Sequence, residues 1–495
     1  MDASVSPRAT PAPLDHATVR TIIIGIMLAM FLAALDQTIV ATALPTIGRE
    51  LGDLQNISWV VTAYLLSSTA STPLYGKISD IHGRRATLLA AITIFIIGSI
   101  ACALAPSMFA LIVARFVQGL GGGGLISLAQ TITADAVSPK ERSRYMGYFG
   151  IVFALSSIAG PVLGGVISQS IGWPAIFWIN VPLGALALFM TYNALKKLPR
   201  HERAHRLDYA GAGLLILAAV LVLLALSWGG VVYPWTSAPI LGLIAASAIA
   251  WVLFGIRLRT APEPFLPLGV LADRVVASAT LAGFFGIGTM VGLSIYLPLF
   301  FQSVLHLDAA GSGFALIPLS VGTVVGAQGS GRYMARVKHY KRAPIVGLAI
   351  GIVALAVMTG FADRMSLISI EALLVVIGIG LGTLFPVTVV AVQNAVTAQH
   401  MGTATATVNF MRALGSAILV ATFGAIFLAG VGASGGISVE TLIANASATG
   451  LSLGGAFRGV FAAATAGIGI AFLLLLVMEE RPLRGGHEPA PTVLE

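Results

Sequence analysis

The chain reads as an all-α integral membrane protein with fourteen transmembrane helices, and three observations predict it. Hydrophobic residues make up 57% of its 495 residues and charged ones only 10%, against roughly 25% charged in an ordinary soluble domain. A water-soluble fold has too little polar surface to cover that much apolar side chain. The apolar residues also fall in long uninterrupted runs, each of about 18 residues or more, the length that reads as a spanning helix. Finally, the basic residues gather in alternate gaps between those runs, as retained cytoplasmic loops do.

Taken in order, the runs place spans at 21–44, 57–76, 86–105, 108–130, 146–169, 174–195, 209–228, 238–256, 276–301, 309–330, 343–362, 367–391, 404–429 and 456–478. The first has no small-residue cleavage site behind it, so it is expected to stay as a span rather than be removed as a signal peptide. An even number of spans puts both termini on one side. That side holds 23 of the 28 Lys and Arg, from Arg8 and Arg20 to Arg481 and Arg484. The opposite loops hold Arg49, Arg364 and Arg458, while Arg115 and Arg412 fall inside spans. Both termini are therefore expected in the cytoplasm. The net charge of +8 is accounted for by topology, and no nucleic-acid partner is expected. The single cysteine, Cys102, lies in a span and rules out an intrachain disulfide. The outer loop Gly430–Ser452 has room for a short helix at Val439–Ala446. The tail Glu479–Glu495, rich in Pro, Gly and charge, reads as disordered.

The turn between the second and third spans is the most informative segment. It runs Gly76-Lys77-Ile78-Ser79-Asp80-Ile81-His82-Gly83-Arg84-Arg85 and is short enough to force an antiparallel hairpin. Retention of cations explains part of Arg84 and Arg85 but does not call for Asp80. An acid among cations at helix ends reads as a gate latch, able to pair across the molecule in one conformation only. The pattern Gly76-x-x-x-Asp80-x-x-Gly83-Arg84-Arg85 resembles the loop between helices two and three of major facilitator superfamily transporters, with Ile81 where that family has a basic residue.

Two halves of six spans correspond by position. A weaker basic turn, Gly331 to Arg342, joins the tenth and eleventh spans. Glycines 119 and 121–124 in the fourth span match Gly378, Gly380 and Gly382 in the twelfth. Parallel repeats with glycine-rich helices are a transporter pattern, in which substrate binds between the halves. The expected division is a first bundle at 1–206, two inserted helices at 207–260, a second bundle at 261–478 and the tail at 479–495. Six plus two plus six resembles the fourteen-helix drug:proton antiporter branch, which implies the major facilitator fold.

Asp36 carries the chemistry. An ionisable group inside a span costs about 2.5–3.5 kcal/mol on insertion scales and is a functional candidate by default. Counted at about 1.5 Å per residue, Asp36 and Arg115 both lie roughly 12 Å below the outer surface, so two opposite charges share one depth and offset each other's desolvation. The plain alternative is a static pair tying the first span to the fourth. Leu35 to Pro45 resembles the first-helix signature of the branch, with Ala41 where Asn is usual, and Arg115-Phe116-Val117-Gln118-Gly119 resembles a motif whose arginine is implicated in proton transfer. Asn180 matches the branch's sixth-helix pattern and is expected to hydrogen-bond between helices. Glu371, near the outer end of the twelfth span, reads equally as a proton or cation site and as an interfacial residue. Arg412 has no acid at its depth.

In the fifth span Gly147, Gly160, Pro161, Gly164 and Gly165 resemble the antiporter motif, with Ser156 where its second glycine belongs. Small residues let another helix approach closely, and Pro161 bends the span. The fold implied by the resemblance puts the first, fourth, ninth and twelfth spans around a cavity. Candidate contacts there are Phe31, Phe116, Phe284, Phe285, Met290, Tyr296 and Phe385, with Asn409 and Arg412 on the thirteenth span. No nucleotide-binding Gly-x-x-x-x-Gly-Lys motif occurs. The expectation is therefore a non-enzymatic, monomeric transporter of the bacterial cytoplasmic membrane. It needs no cofactor or metal and is driven by protons to export hydrophobic or cationic drugs. An exporter of an endogenous lipid, siderophore or metabolite is the alternative. A non-transporting receptor would not explain the paired intramembrane charges.

Overall fold

The computed structural model describes residues 16–53, 56–197, 207–230, 232–337, 339–431 and 453–483. The expected helix at Val439–Ala446, the cations Arg8, Arg200, Arg203, Arg206, Lys338 and Arg484, and the tail beyond Leu483 lie outside those residues. Fourteen helical rods follow one another: α1 (His16–Glu50), α2 (Trp59–His82), α3 (Arg84–Ala103), α4 (Met108–Ala136), α5 (Pro139–Ser170) and α6 (Ala175–Ala194). Then come α7 (Tyr209–Trp228), α8 (Ala238–Thr260), α9 (Arg274–Ser303), α10 (Ile317–Arg336), α11 (Arg342–Phe361), α12 (Leu367–Ala395), α13 (Met401–Val431) and α14 (Gly454–Val477). Among the described residues there is no strand, only an isolated bridge from Gly229 to Tyr233.

The rods overrun several of the expected spans. α1 continues through Pro45 to Glu50, because a proline near a helix end removes only one hydrogen bond. α12 is broken between Gly382 and Leu384. Among the described residues, thirteen helices are long and apolar enough to cross a membrane. α2 is long enough but too polar to be among them, since Ser67, Ser68, Thr69, Ser71 and Thr72 run along it, buried.

Contacts within the first bundle repeat in the second. α2 on α4, α3 on α4, α1 on α5 and α1 on α6 are matched by α10 on α12, α11 on α12, α9 on α13 and α9 on α14. The bundles meet along α2 with α13 and α5 with α10, a pair of contacts that the same correspondence exchanges. Glycines make the repeat possible. A Cβ at Gly119 or Gly123 of α4 would collide with the α2 backbone at Tyr64 and Ser68. One at Gly378 or Gly382 of α12 would collide with the α10 backbone at Leu319 and Thr323. The inserted α7 lies against both α2 and α13, at one side of the seam, and α8 packs on α7.

The start of the tail departs from the expected disorder. Glu480 accepts from the Lys341 backbone N–H at 2.8 Å and pairs with His339 at 3.1 Å, Arg481 pairs with Asp273 at 2.9 Å, and Leu483 is buried. Lys341 donates to the carbonyls of Leu476 and Met478, and burial lowers its ammonium pKa from the ordinary value while Glu480 opposes the shift. Glu479 to Leu483 thus straps the ends of α9, α11 and α14 together.

Candidate functional site

Asp36 is fully buried inside the first bundle. It accepts from Arg115 Nη1 at 2.6 Å, Gln118 Nε2 at 2.8 Å and Asn180 Nδ2 at 2.9 Å, so α1, α4 and α6 converge on one carboxylate. Arg115 also donates to Gln118 Oε1 at 2.7 Å and, through Nε, to the Val60 carbonyl at 3.0 Å. Its guanidinium stacks 4.2 Å from the Tyr64 ring centroid. Ser99 of α3 accepts from Gln118 and Asn180 and donates to the Phe177 carbonyl at 3.1 Å. Every partner is polar or charged in the right sense, which a buried ion pair requires to hold its cost down. The equal depth read from sequence therefore corresponds to direct contact.

The second cluster joins the bundles at the end that carries the basic turns. Gly83 breaks α2 from α3 with φ +89°, a conformation that any side chain would strain. That break sets Asp80 against the N-terminus of α13. Asp80 accepts from the backbone N–H groups of Gly402 at 2.9 Å and Thr403 at 2.7 Å, and from Thr403 Oγ1 at 2.6 Å. A residue of one bundle thus caps a helix of the other. Arg84 clamps the arrangement, with Nη1 on Asp80 at 2.5 Å and Nε on Asp135 at 2.7 Å. Gly76 allows the approach, since a Cβ there would collide with Ala406 and the Gly402 carbonyl. Arg85 takes no part; it stays in its own bundle, donating to the Tyr192 carbonyl at 3.0 Å over the Tyr192 ring. The weaker turn of the second half makes a simpler contact, with the Gly331 carbonyl accepting from Ser143 Oγ at 3.0 Å. Deeper in, Gln130 meets Asn409 at 2.8 Å and Gln393 at 3.3 Å.

Beyond that closed end lie two adjoining cavities of about 420 and about 520 Å³ between the bundles. They share Gln37, Leu65, Thr69, Val291, Ala413 and Ser416 in their walls, and the second extends to Trp235 in the loop after α7. Of the aromatic, Met, Asn and Arg candidates, Met290, Phe385, Asn409 and Arg412 line the first and Tyr296 the second. Phe31, Phe116, Phe284 and Phe285 line neither. Phe116 is 47% exposed, toward the N-terminal end of α4 from the lining residue Gly122, Phe31 and Phe285 pack against the main core, and Phe284 meets Phe285 edge to face with ring centroids 5.0 Å apart. Glu371, half-buried, is also absent from both walls. Among the described residues neither wall contains an Asp or Glu, so those residues offer a cationic drug no counter-charge. Asp36 faces away from it, whereas Gln37 and Thr38 face in.

α5 packs on α1 through the expected small residues. A Cβ at Gly160 would collide with Thr38, and one at Gly164 with Thr42 and the Ile39 carbonyl. Gly147 faces Gln328 of α10, where a Cβ would come within 2.7 Å of its Oε1. Gly165 has nothing within 4 Å of its Cβ position, so the close packing expected of the motif does not extend to it. Pro161 is exposed, and Ser156, in the place of the missing glycine, is buried and accepts through its carbonyl from Thr38 Oγ1 at 2.9 Å.

Residues 26–420 match the family model described as Major Facilitator Superfamily. The chain belongs to the major facilitator superfamily. Among its relatives, Multidrug resistance protein 3 of Bacillus subtilis is 35% identical over 413 residues, covering 83% of this chain and 80% of that protein. Multidrug resistance protein fnx1 of Schizosaccharomyces pombe is 34% identical over 407 residues, 80% of this chain and 77% of that one. Among solved structures, the proton:xylose symporter XylE superposes with a TM-score of 0.63 at 14% identity, covering 95% of this chain and 98% of that one. A bacterial homologue of ferroportin in its outward-facing state gives 0.64 at 12% identity, with coverage of 94% and 100%. At such identities the two structures share the fold alone.

In this major facilitator chain several site residues escaped the sequence reading. Gln118, three residues after Arg115 and so on the same helical face, was within reach of a spacing argument. Asp135, Gln130, Gln393, Gly402 and Thr403 were not, because each acquires its role from a helix distant in sequence.

Proposed function

We propose that the protein exports hydrophobic, drug-like compounds across a bacterial cytoplasmic membrane by alternating access, as a monomer, in exchange for protons. One observation carries the reading: the cavity between the halves is closed at the basic end by hydrogen bonds that run from one bundle to the other, from Gly402 and Thr403 to Asp80. The positive-inside rule puts that end, with both termini, in the cytoplasm, so the conformation described is closed to the cytoplasm. The names of the relatives support drugs as the cargo.

Asp36 is the proposed proton carrier. Desolvation penalises a carboxylate, while a guanidinium beside it stabilises the charge. A change of state that separates α1 from α4 alters that balance and moves a proton on or off. Arg115 retains Gln118 and the Val60 carbonyl as acceptors when Asp36 is neutral, so the pair can open without stranding the cation. The test uses everted vesicles loaded with a pH-sensitive dye and challenged with drugs and lipids. Drug-triggered proton release is the expected result. Silence to every drug with a response to a lipid favours a dedicated lipid exporter instead.

A further inference from the structure

Among the described residues, the cavity walls contain one charged side chain, and no counter-ion is paired with it. Among the described lining residues there is no Asp, Glu, Lys or His, and Arg412 of α13 stands alone. It is only 5% exposed. Nη2 donates to Thr388 Oγ1 at 2.5 Å and to the Phe385 carbonyl at 3.3 Å, both on the second piece of the broken α12. The guanidinium sits 5.2 Å from the Phe385 ring centroid. Nε is buried without a partner, and no hydrogen bond reaches Nη1.

A guanidinium does not shed its proton to escape burial. Its desolvation is offset fully only by an anion, and neutral oxygens recover part of the cost. Thr388 and Phe385 therefore fix the orientation of the group while leaving its charge uncompensated. The fork geometry of arginine suits an oxyanion such as a carboxylate, sulfonate or phosphate. Beside it, the Phe153 and Phe385 rings stand 6.4 Å apart, and Met290 offers an adaptable apolar wall. A head group of one charge and a greasy body meet complementary surfaces in one cavity.

We propose that the preferred substrates are amphiphiles with an anionic head that docks on Arg412, and that organic cations are poor substrates. The proposal rests on the export reading and narrows it. It is tested with purified protein, in lipid nanodiscs for binding and in proteoliposomes for pumping, and three fluorescent probes of matched size: an anthracene carboxylate, its methyl ester and an anthracenylmethyl ammonium. The carboxylate is expected to bind at least about tenfold more tightly than the ammonium. Arg412→Gln is expected to remove the advantage of carboxylate over ester, and Arg412→Lys to keep part of it. The wild-type ranking needs no variant, so a misfolded Arg412→Gln protein does not blunt the test. Tightest binding of the ammonium, or a carboxylate affinity unchanged within about twofold in folded Arg412→Gln, overturns the proposal. Ester and ammonium that bind and are pumped while the carboxylate is ignored overturn it and leave export standing. Failure to bind or pump any probe overturns both.

Discussion

Asp36 accepts three hydrogen bonds on two oxygens, and a substitution there separates its electrostatic role from its architectural one. Asp36→Asn removes the charge, leaves Arg115 without a buried counter-ion, and replaces one acceptor oxygen by a donor. Breaking a buried pair from one side costs about 3–5 kcal/mol, which here is softened by the acceptors Arg115 keeps. The variant is expected to lose proton-driven efflux and to unfold at a lower temperature in detergent, while still binding a neutral substrate. Wild-type pumping by Asp36→Asn would make the pair purely structural. Arg115→Lys is expected to be impaired too, because a single ammonium does not reach Asp36, Gln118 and the Val60 carbonyl together. Efflux measured in everted vesicles reads both. The two charges were legible in sequence because intramembrane charges are rare. Asn180 was legible too, through its match to the sixth-helix pattern, whereas Ser99 is an ordinary residue until α1, α3, α4 and α6 meet.

At the scale of the helix, the seam between α1 and α5 decides how much movement the first bundle allows. Gly160 and Gly164 have side chain or backbone where a Cβ would stand, whereas Gly165 has open space. Gly164→Ala is therefore expected to cost about 1–3 kcal/mol of stability, the usual range for overpacking, and to slow transport. Gly165→Ala is expected to be close to neutral in both. Thermal unfolding with a vesicle efflux assay distinguishes the two, and equal behaviour would remove the seam from the mechanism. Four of the candidate aromatic contacts, Phe31, Phe116, Phe284 and Phe285, lie outside the cavity walls for a reason at this same scale. Helical periodicity is clear in a soluble protein, where one face is wet, but an apolar helix in lipid gives no such contrast between lipid, core and cavity faces. The cavity faces were marked instead by Ser, Thr, Gly and Gln, most plainly along α2.

For the whole molecule, the conformational balance rests on a cap supplied across the two halves. Removing a helix cap costs about 0.5–2 kcal/mol, and one or two kcal/mol shifts a two-state ratio by a factor of about 5–30. Asp80→Ala is accordingly expected to open the basic end several-fold more often. A thiol introduced by Asn409→Cys, with the native Cys102 buried, reports this as faster labelling by a reagent added from the cytoplasmic face. An unchanged labelling rate would show that Asp80 does not hold the gate. Gly76→Val is expected to act in the same direction, because its side chain displaces α13.

The sequence by itself determined the number of helices, the end on which the cations gather, the two-fold repeat and the pairing of Asp36 with Arg115. These follow from length, hydropathy and charge, which act locally and do not depend on which helices become neighbours. Tertiary structure alone decided that Asp36 faces the bundle interior and not the cavity, that Asp80 caps α13, that the tail's first residues are strapped down, and that Arg412 is the single charge among the cavity's described residues. Each of those depends on which face of a helix meets which partner, and in lipid that choice is made by close packing and hydrogen bonding between distant segments, leaving no periodic trace along the chain.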